Sequence, residues 1–565
     1  MIKKQFLLVI TFLLLIEVSN ADSSPDKYAI ASAHPVASKA GQEILNKGGN
    51  AFDAAIAVTA TLAVVEPYSS GIGGGGFWLL HRARDKSDIM IDGREKAPLK
   101  AHRDLYLDKQ GNVIQGASIQ GALSSGIPGV PAAIAYLANH YGELPLSTSL
   151  APAIRVARQG YRISQSYRLY AKLRLKALRK NKAAAAVFLY NNDVPPENFI
   201  LKQPDLAKTL ELIAQHGHKG FYSGETAEKL VADSQRNNGI WIKKDLQQYE
   251  IAERKPITFN YLGYRITSAP PPSSGGVALA QILGILEHYN LPLFPIYQQQ
   301  HLIVEAMRRA YADRAQHLGD SDFVTVPVTK LISRKHSSDR INDILLNEAT
   351  PSEFLSITAQ PDGNGTDTTH FSILDKEGNR VSATLSINYP FGSCHVAQGT
   401  GVLLNDEMDD FSAKPGVPNA YGLVGTAANA IAPGKRPLSS MSPTFVESDN
   451  SVLILGTPGG SRIISMVLLG ILEFVNGEDA NAIVSKRRFH HQYLPDFIMH
   501  EDDSIASNDV SQLQQMGHKL KLKTSPYGAG QGSYGNMQVV LWNKKDKKIS
   551  AASDPRGHGL AITGH

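Results

Sequence analysis

The spacing of apolar and polar positions changes several times along the chain, and each change outlines part of its organisation. Residues 29–66 carry a helical apolar stripe, a Gly48-Gly49 stop and a second, alanine-rich helical run; they read as helices packed on a sheet. A glycine run over Gly71–Gly76 leads into two alternating segments, Phe77–His81 and Ile89–Asp92, which predict strands. Residues 143–235 predict mostly helix, and residues 268–286 a proline–glycine turn feeding an apolar helix. Residues 337–366 are polar and poor in aromatics, and predict a mobile linker. Beyond Thr368 the pattern turns to strands. Phe371–Asp375 and Val381–Asn388 alternate around Gly378-Asn379, a hairpin signal. Thr444–Glu447, Val452–Gly456, Met537–Trp542 and Ile549–Ala552 follow as further strands.

The switch from linker to strand is the most informative point. It reads Gly-Asn-Gly-Thr-Asp-Thr-Thr-His-Phe over residues 363–371, with Ser386-Ile387-Asn388 eighteen residues beyond Thr368. A threonine opening a strand is commonplace by itself. Cleavage between Asp367 and Thr368, however, would place a free α-amine on the residue that carries the hydroxyl. An α-amine has an ordinary pKa of about 7.7–8.0, so it can serve as base for its own side chain near neutral pH. This is the layout of an N-terminal-nucleophile hydrolase before it cuts itself. A loose linker suits the cut.

Bulk properties narrow the classes. A net charge of +5 over 565 residues is too mild to argue for nucleic acid. The basic run from Arg168 to Lys182 keeps an apolar stripe and reads as a solvated helix face. Residues 1–21 read as a signal peptide: Lys3 and Lys4, an apolar Phe6–Ile16 too short to span a bilayer, and Ser19-Asn20-Ala21 before the cut. The chain is thus expected to be exported, and periplasmic in a Gram-negative host. Cys394 is the one cysteine, so an exported chain must rely on its core instead of disulfides.

Ten segments in order then resemble the γ-glutamyltranspeptidases, or glutathione hydrolases. They include GIGGGGF, DGREKAP, SGIPGVPA, TTHFSILDKEGNRVSATLSIN, GVLLNDEMDDFSAKPGVPNAYGLVG, KRPLSSMSPT and GTPGGSR, with RFHHQYLPD and ASDPR near the C-terminus. The likeness spans nearly everything from about residue 27 to 557. It implies an α+β, αββα sandwich of two stacked antiparallel sheets between helical layers. It also implies autocatalytic cutting into a large chain of residues 22–367 and a small catalytic chain of residues 368–565 that stay together. The implied activity is γ-glutamyl transfer to amino-acid or dipeptide acceptors, or to water, from glutathione and related compounds, through an ester on Thr368. No cofactor or metal is implied.

The resemblance assigns roles to residues. Ser386 stands where the family places a hydroxyl that orients the amine. Arg94 suits a substrate α-carboxylate because guanidinium binds it as a fork, with Ser439 and Ser440 adding hydroxyls. Asn388, Glu407 and Asp410 suit the α-ammonium. Gly459-Gly460 matches the oxyanion hole, and Tyr421, within 414–425, matches the gate of a lid loop found in many bacterial members. A cephalosporin acylase on the same scaffold is the alternative; the Arg94 and Asn388/Glu407/Asp410 set fits an amino-acid head better than a glutaryl or adipyl acid.

Three other patterns are discounted. Gly71–Gly76 satisfies G-x-G-x-x-G, but a strand follows where a dinucleotide site needs a helix. His490-His491 lacks companion ligands at metal spacing. Cys394 has His395 beside it, but neighbours in a strand point to opposite faces.

Overall fold

The computed structural model describes residues 24–355, 368–523 and 534–565. Residues 1–21, Asp367 and much of the predicted linker lie outside these. Two antiparallel sheets form the centre. The first runs in the order Leu560–Gly564, Tyr28–Ser32, Thr369–Leu374, Arg380–Ser386, Gly75–Arg82, Ser87–Asp92 and Ala252–Arg254. The second runs Lys548–Ser553, Gln538–Asn543, Ser451–Gly456, Thr444–Glu447, Tyr264–Ser268 and Ile257–Tyr261. The helix Ala51–Val65 lies on the outer face of the first sheet and the helices Gly275–Leu286 and Ile463–Val475 on that of the second. This is the αββα sandwich.

The period of two sorts the residues of the central hairpin. Phe371, Ile373, Val381, Ala383 and Leu385 face the Ala51–Val65 helix and join its core. That helix is buried all round, so a hydrophobic pattern without a polar stripe is what its place requires. It starts on a capping box in which Asn50 and Asp53 satisfy each other's backbone N–H groups. The opposite face of the hairpin is polar yet buried between the sheets. His370 Nδ1 lies 2.9 Å from Thr384 Oγ1, Ser382 Oγ donates to the Leu455 carbonyl, and Ser372 Oγ to that of Gln538. Inter-sheet hydrogen bonds satisfy groups that would otherwise be costly to bury.

Some expectations change with tertiary context. The run 29–66 opens within the strand Tyr28–Ser32, which pairs with both Thr369–Leu374 and Leu560–Gly564. The described part of the predicted linker is ordered. It contains the helix Arg334–Ile341, and its end is pinned by Arg308 to Ser352 and by Arg309 to the Asp343 carbonyl. Local polarity there reflects pairing with buried arginines, which one segment read alone does not reveal. In the basic run, Arg174 is the exception: it turns inward to Cys394 Sγ and the Gly392 carbonyl.

Candidate active site

The hairpin register builds the site. Leu385 pairs with Thr369, so extending the ladder by one residue sets Thr368 opposite Ser386, with both side chains on the same face. Both are buried and both line the same narrow cleft. Ser386 Oγ accepts from the Asn388 N–H at 2.7 Å. That bond leaves the hydroxyl's own proton free to be donated elsewhere. On the other side of this strand Gly75 pairs with Ser386, and a Cβ on Gly74 would meet the Ser386 carbonyl at 2.1 Å. The glycine run therefore works by close packing beside the catalytic hairpin, not by holding a nucleotide.

Part of the cleft lining is acidic. Glu407 and Asp410 belong to it, and behind them lies the fully buried Arg94, whose Nη1 donates to Glu407 Oε1 and Nη2 to Asp410 Oδ2. Glu95 is also beside Arg94, 3.5 Å from Nη1. Three carboxyls around one guanidinium is an excess of acid. Burial accordingly pushes Glu407 up to about 7 against the pull of Arg94, and Glu95 goes well above the usual carboxylate range. Asn405 fixes this loop: its Oδ1 accepts from the N–H groups of Glu407 and Gly126, and its Nδ2 donates to the Gly73 and Gly126 carbonyls.

The lining also carries cationic and hydroxylic groups. Ser439 and Ser440 supply them together with Arg314, which donates to Ser440 Oγ at 3.2 Å and to Ser274 Oγ at 3.0 Å. Arg314 comes from the long helix Ile296–His317 and makes no ion pair among the described residues. Sequence reasoning missed it. Its only local signal is one arginine among several on that helix, and only the packing of the helix brings it to the cleft. Arg94 reaches the site too, but from behind the acids instead of at the cleft surface.

Tyr421 also lines the cleft. Its hydroxyl donates to the Asn388 carbonyl at 2.9 Å, and its ring covers Gly460, where a Cβ would meet it at 2.3 Å. The segment is held to the acidic loop, with Ala420 N–H donating to Asp409 and Asn419 Nδ2 to Asp410. Gly459 and Gly460 both have positive φ, +141° and +58°. No hydrogen bond among the described residues uses their N–H groups.

The discounted patterns have structural employment. His490 bonds Ser465 and Gln492, and His491 pairs with Asp496. Cys394 is buried, its thiol pushed up to about 11 by that burial, while His395 turns to Asp233. Among the described residues His301, Glu305 and His518 come close enough to share an ion, but Glu305 is already paired with both Arg308 and Arg309.

Comparison with known proteins agrees with this geometry. The family model for γ-glutamyltranspeptidase matches residues 37–564. The glutathione hydrolase proenzyme of Pseudomonas sp. (strain A14) is 43% identical over 89% of this chain and 88% of its own. That of Escherichia coli (strain K12) is 40% identical over 93% and 90%. Among solved structures, a cephalosporin acylase from Bacillus halodurans superposes with a TM-score of 0.82 at 25% identity, over 95% of this chain and 96% of that one. The γ-glutamyltranspeptidase of Helicobacter pylori is 42% identical, with a TM-score of 0.56 over 57% of this chain and 93% of that one. In sequence and in fold, the chain belongs to the γ-glutamyltranspeptidase family.

Proposed function

We propose that this chain is a precursor that cuts itself between Asp367 and Thr368 and then moves γ-glutamyl groups, from glutathione and similar donors, to water or an amino-acid acceptor. The observation that carries this reading is the placement of Thr368 opposite Ser386 in a cleft lined by both carboxyls and serine–guanidinium groups. In the first reaction Thr368 Oγ attacks the Asp367 carbonyl carbon and the peptide C–N bond breaks. Water then hydrolyses the resulting ester, leaving an Asp367 carboxyl and a Thr368 α-amine. In turnover that amine takes the Thr368 hydroxyl proton as Oγ attacks the donor's γ-carbonyl. The proton passes to the leaving amine, and the acceptor resolves the γ-glutamyl ester. The unengaged N–H groups of Gly459 and Gly460 suit the developing oxyanion.

The donor's zwitterionic head accounts for the excess of carboxyls. Its ammonium would supply a second cation beside Glu407 and Asp410, which now share Arg94, with Asn388 alongside. Its carboxylate would meet Ser439 and Ser440, backed by Arg314. Arg94 would join it by exchanging one of its present carboxylate partners for the ligand's. A glutaryl or adipyl side chain would instead present a second acid to Glu407 and Asp410, which disfavours the acylase reading. Residues 1–21 are read as a signal for export. Among the described residues no helix is long and apolar enough to cross a membrane.

The test is N-terminal sequencing of the purified protein with a γ-glutamyl-p-nitroanilide assay. A small chain starting Thr-Thr-His-Phe, together with turnover, is expected. A chain that stays whole yet turns over donor would sink the mechanism.

Two site predictions follow. Gly460→Ala places a methyl against the Tyr421 ring at a positive-φ position. It is expected to lower kcat by about 10²–10³-fold, as loss of an oxyanion donor does, with self-cutting checked on a gel. The second concerns pH. The raised Glu407 favours its neutral form, so its share of stability is present at low pH and lost as pH rises to about 7. Donor binding runs the other way, because an ammonium needs the ionised form. KM for the donor is expected to fall as pH rises through about 7, and Glu407→Gln is expected to flatten that dependence in KM while leaving the pH profile of kcat in place.

A further inference from the structure

Thr369 points away from the cleft, because successive strand residues face opposite sides. There its Oγ1 donates to Glu66 Oε2 at 2.7 Å, and both side chains are buried. Glu66 caps the C-terminal end of the Ala51–Val65 helix, and its other oxygen accepts from the Tyr68 hydroxyl at 3.2 Å. Nothing in the proposed chemistry uses this pair. Its position becomes significant when the chain is cut. Of the strand Thr369–Leu374, Tyr28–Ser32 pairs only with residues 371–374, so residues 369 and 370 have a ladder partner on one side alone, the strand Arg380–Ser386. In the intact precursor the preceding residues also tether Thr368. After cleavage Thr369 is the second residue of a free end, and chain ends with few ties fray. A catalytic amine cannot be allowed to fray, since a displacement of about 1 Å can cost about 10²-fold in rate.

We propose that the Thr369–Glu66 hydrogen bond is the anchor that holds the newly made chain end in register, keeping the Thr368 amine opposite Ser386. The inference rests on the cut before Thr368. Glu66 acts through Thr369 and is a positioning residue. A hydroxyl donor needs only an acceptor oxygen, so the anchor works with Glu66 ionised or neutral. That fits a buried carboxyl, which burial pushes up to about 7. It also separates this role from an electrostatic one: Glu66→Gln keeps the acceptor and loses the charge, whereas Thr369→Val keeps the shape and loses the donor.

The experiment is hydrogen–deuterium exchange of the peptide that begins at residue 368, with steady-state kinetics and Tm. It compares mature wild type, Thr369→Val, Thr369→Ser and Glu66→Gln, and the same Thr369→Val change in an uncut Thr368→Ala background. Mature Thr369→Val is expected to exchange at least about tenfold faster over residues 369–371. Its kcat is expected to fall about 10–100-fold with KM nearly unchanged. In the uncut background the same change is expected to leave exchange unaltered. Thr369→Ser and Glu66→Gln are expected to behave like wild type. A correctly cut Thr369→Val with wild-type exchange and kcat would overturn the anchor alone. So would a Glu66→Gln loss as large as that of Thr369→Val, which would make Glu66 a charge partner. A Thr369→Val protein of normal Tm that fails to cut would move the pair to the cutting step and overturn the anchor. A wild-type protein without a small chain starting at Thr368 would overturn the parent reading, and this one with it.

Discussion

Thr368→Ala is expected to stay a single chain of full length and to lose γ-glutamyl-p-nitroanilide turnover by at least about 10⁴-fold, the scale seen when a covalent nucleophile is removed. One atom is asked to do both jobs. Thr368 Oγ is the attacking group in the cut and in turnover, so an alanine abolishes the first and, by leaving no free amine on residue 368, removes the base for the second. Thr368→Ser separates the two: it keeps the hydroxyl and loses the methyl that restricts its rotation. It is expected to cut and turn over, both more slowly. Intact mass and N-terminal sequencing read the cut, and the chromogenic donor reads the turnover. A Thr368→Ala protein that matured into two active chains would refute the assignment outright.

The second large effect is expected at Arg94. Arg94→Gln removes the fully buried cation that Glu407 and Asp410 share. Removing one partner of such an arrangement costs about 3–5 kcal/mol, because the remaining charges stay buried and uncompensated. The acids respond by taking up protons, which also makes them poorer partners for an ammonium. Arg94→Gln is therefore expected to lower Tm and to raise donor KM beyond the measurable range. Arg94→Lys keeps the charge but not the fork, so it is expected to recover Tm in larger part than KM. Double variants with Glu407→Gln sharpen the point. If the stability loss comes from unpaired acid, then Arg94→Gln with Glu407→Gln is more stable than Arg94→Gln alone. Equal Tm values for the two would show that the guanidinium serves its main-chain partners, the carbonyls of Pro437 and Leu438, more than the acids.

Much of the architecture was legible from local pattern. The hairpin around Gly378 and the strands at Thr444–Glu447 and Ser451–Gly456 follow from alternation and turn chemistry, which are properties of a few consecutive residues. The strands Tyr28–Ser32 and Leu560–Gly564 were not legible, since each is short and one precedes a strong helical pattern. The hydroxyl at residue 368 and a companion at residue 386 were visible as chemistry, through motif likeness. Arg314 was not, because a lone arginine on a helix has many ordinary uses.

By itself the sequence determined which residues could react and where the hairpin turns, because these depend on residue type and short-range periodicity. Only the tertiary structure decided what each charge faces. It set Thr368 opposite Ser386 by ladder register, turned Arg94 to hold two acids from behind, and brought Arg314 to the cleft. It also joined Glu66 to Thr369 across more than three hundred residues of chain. A single sequence carries no term for such distant pairings; they appear only when packing two sheets and their helices fixes which faces meet.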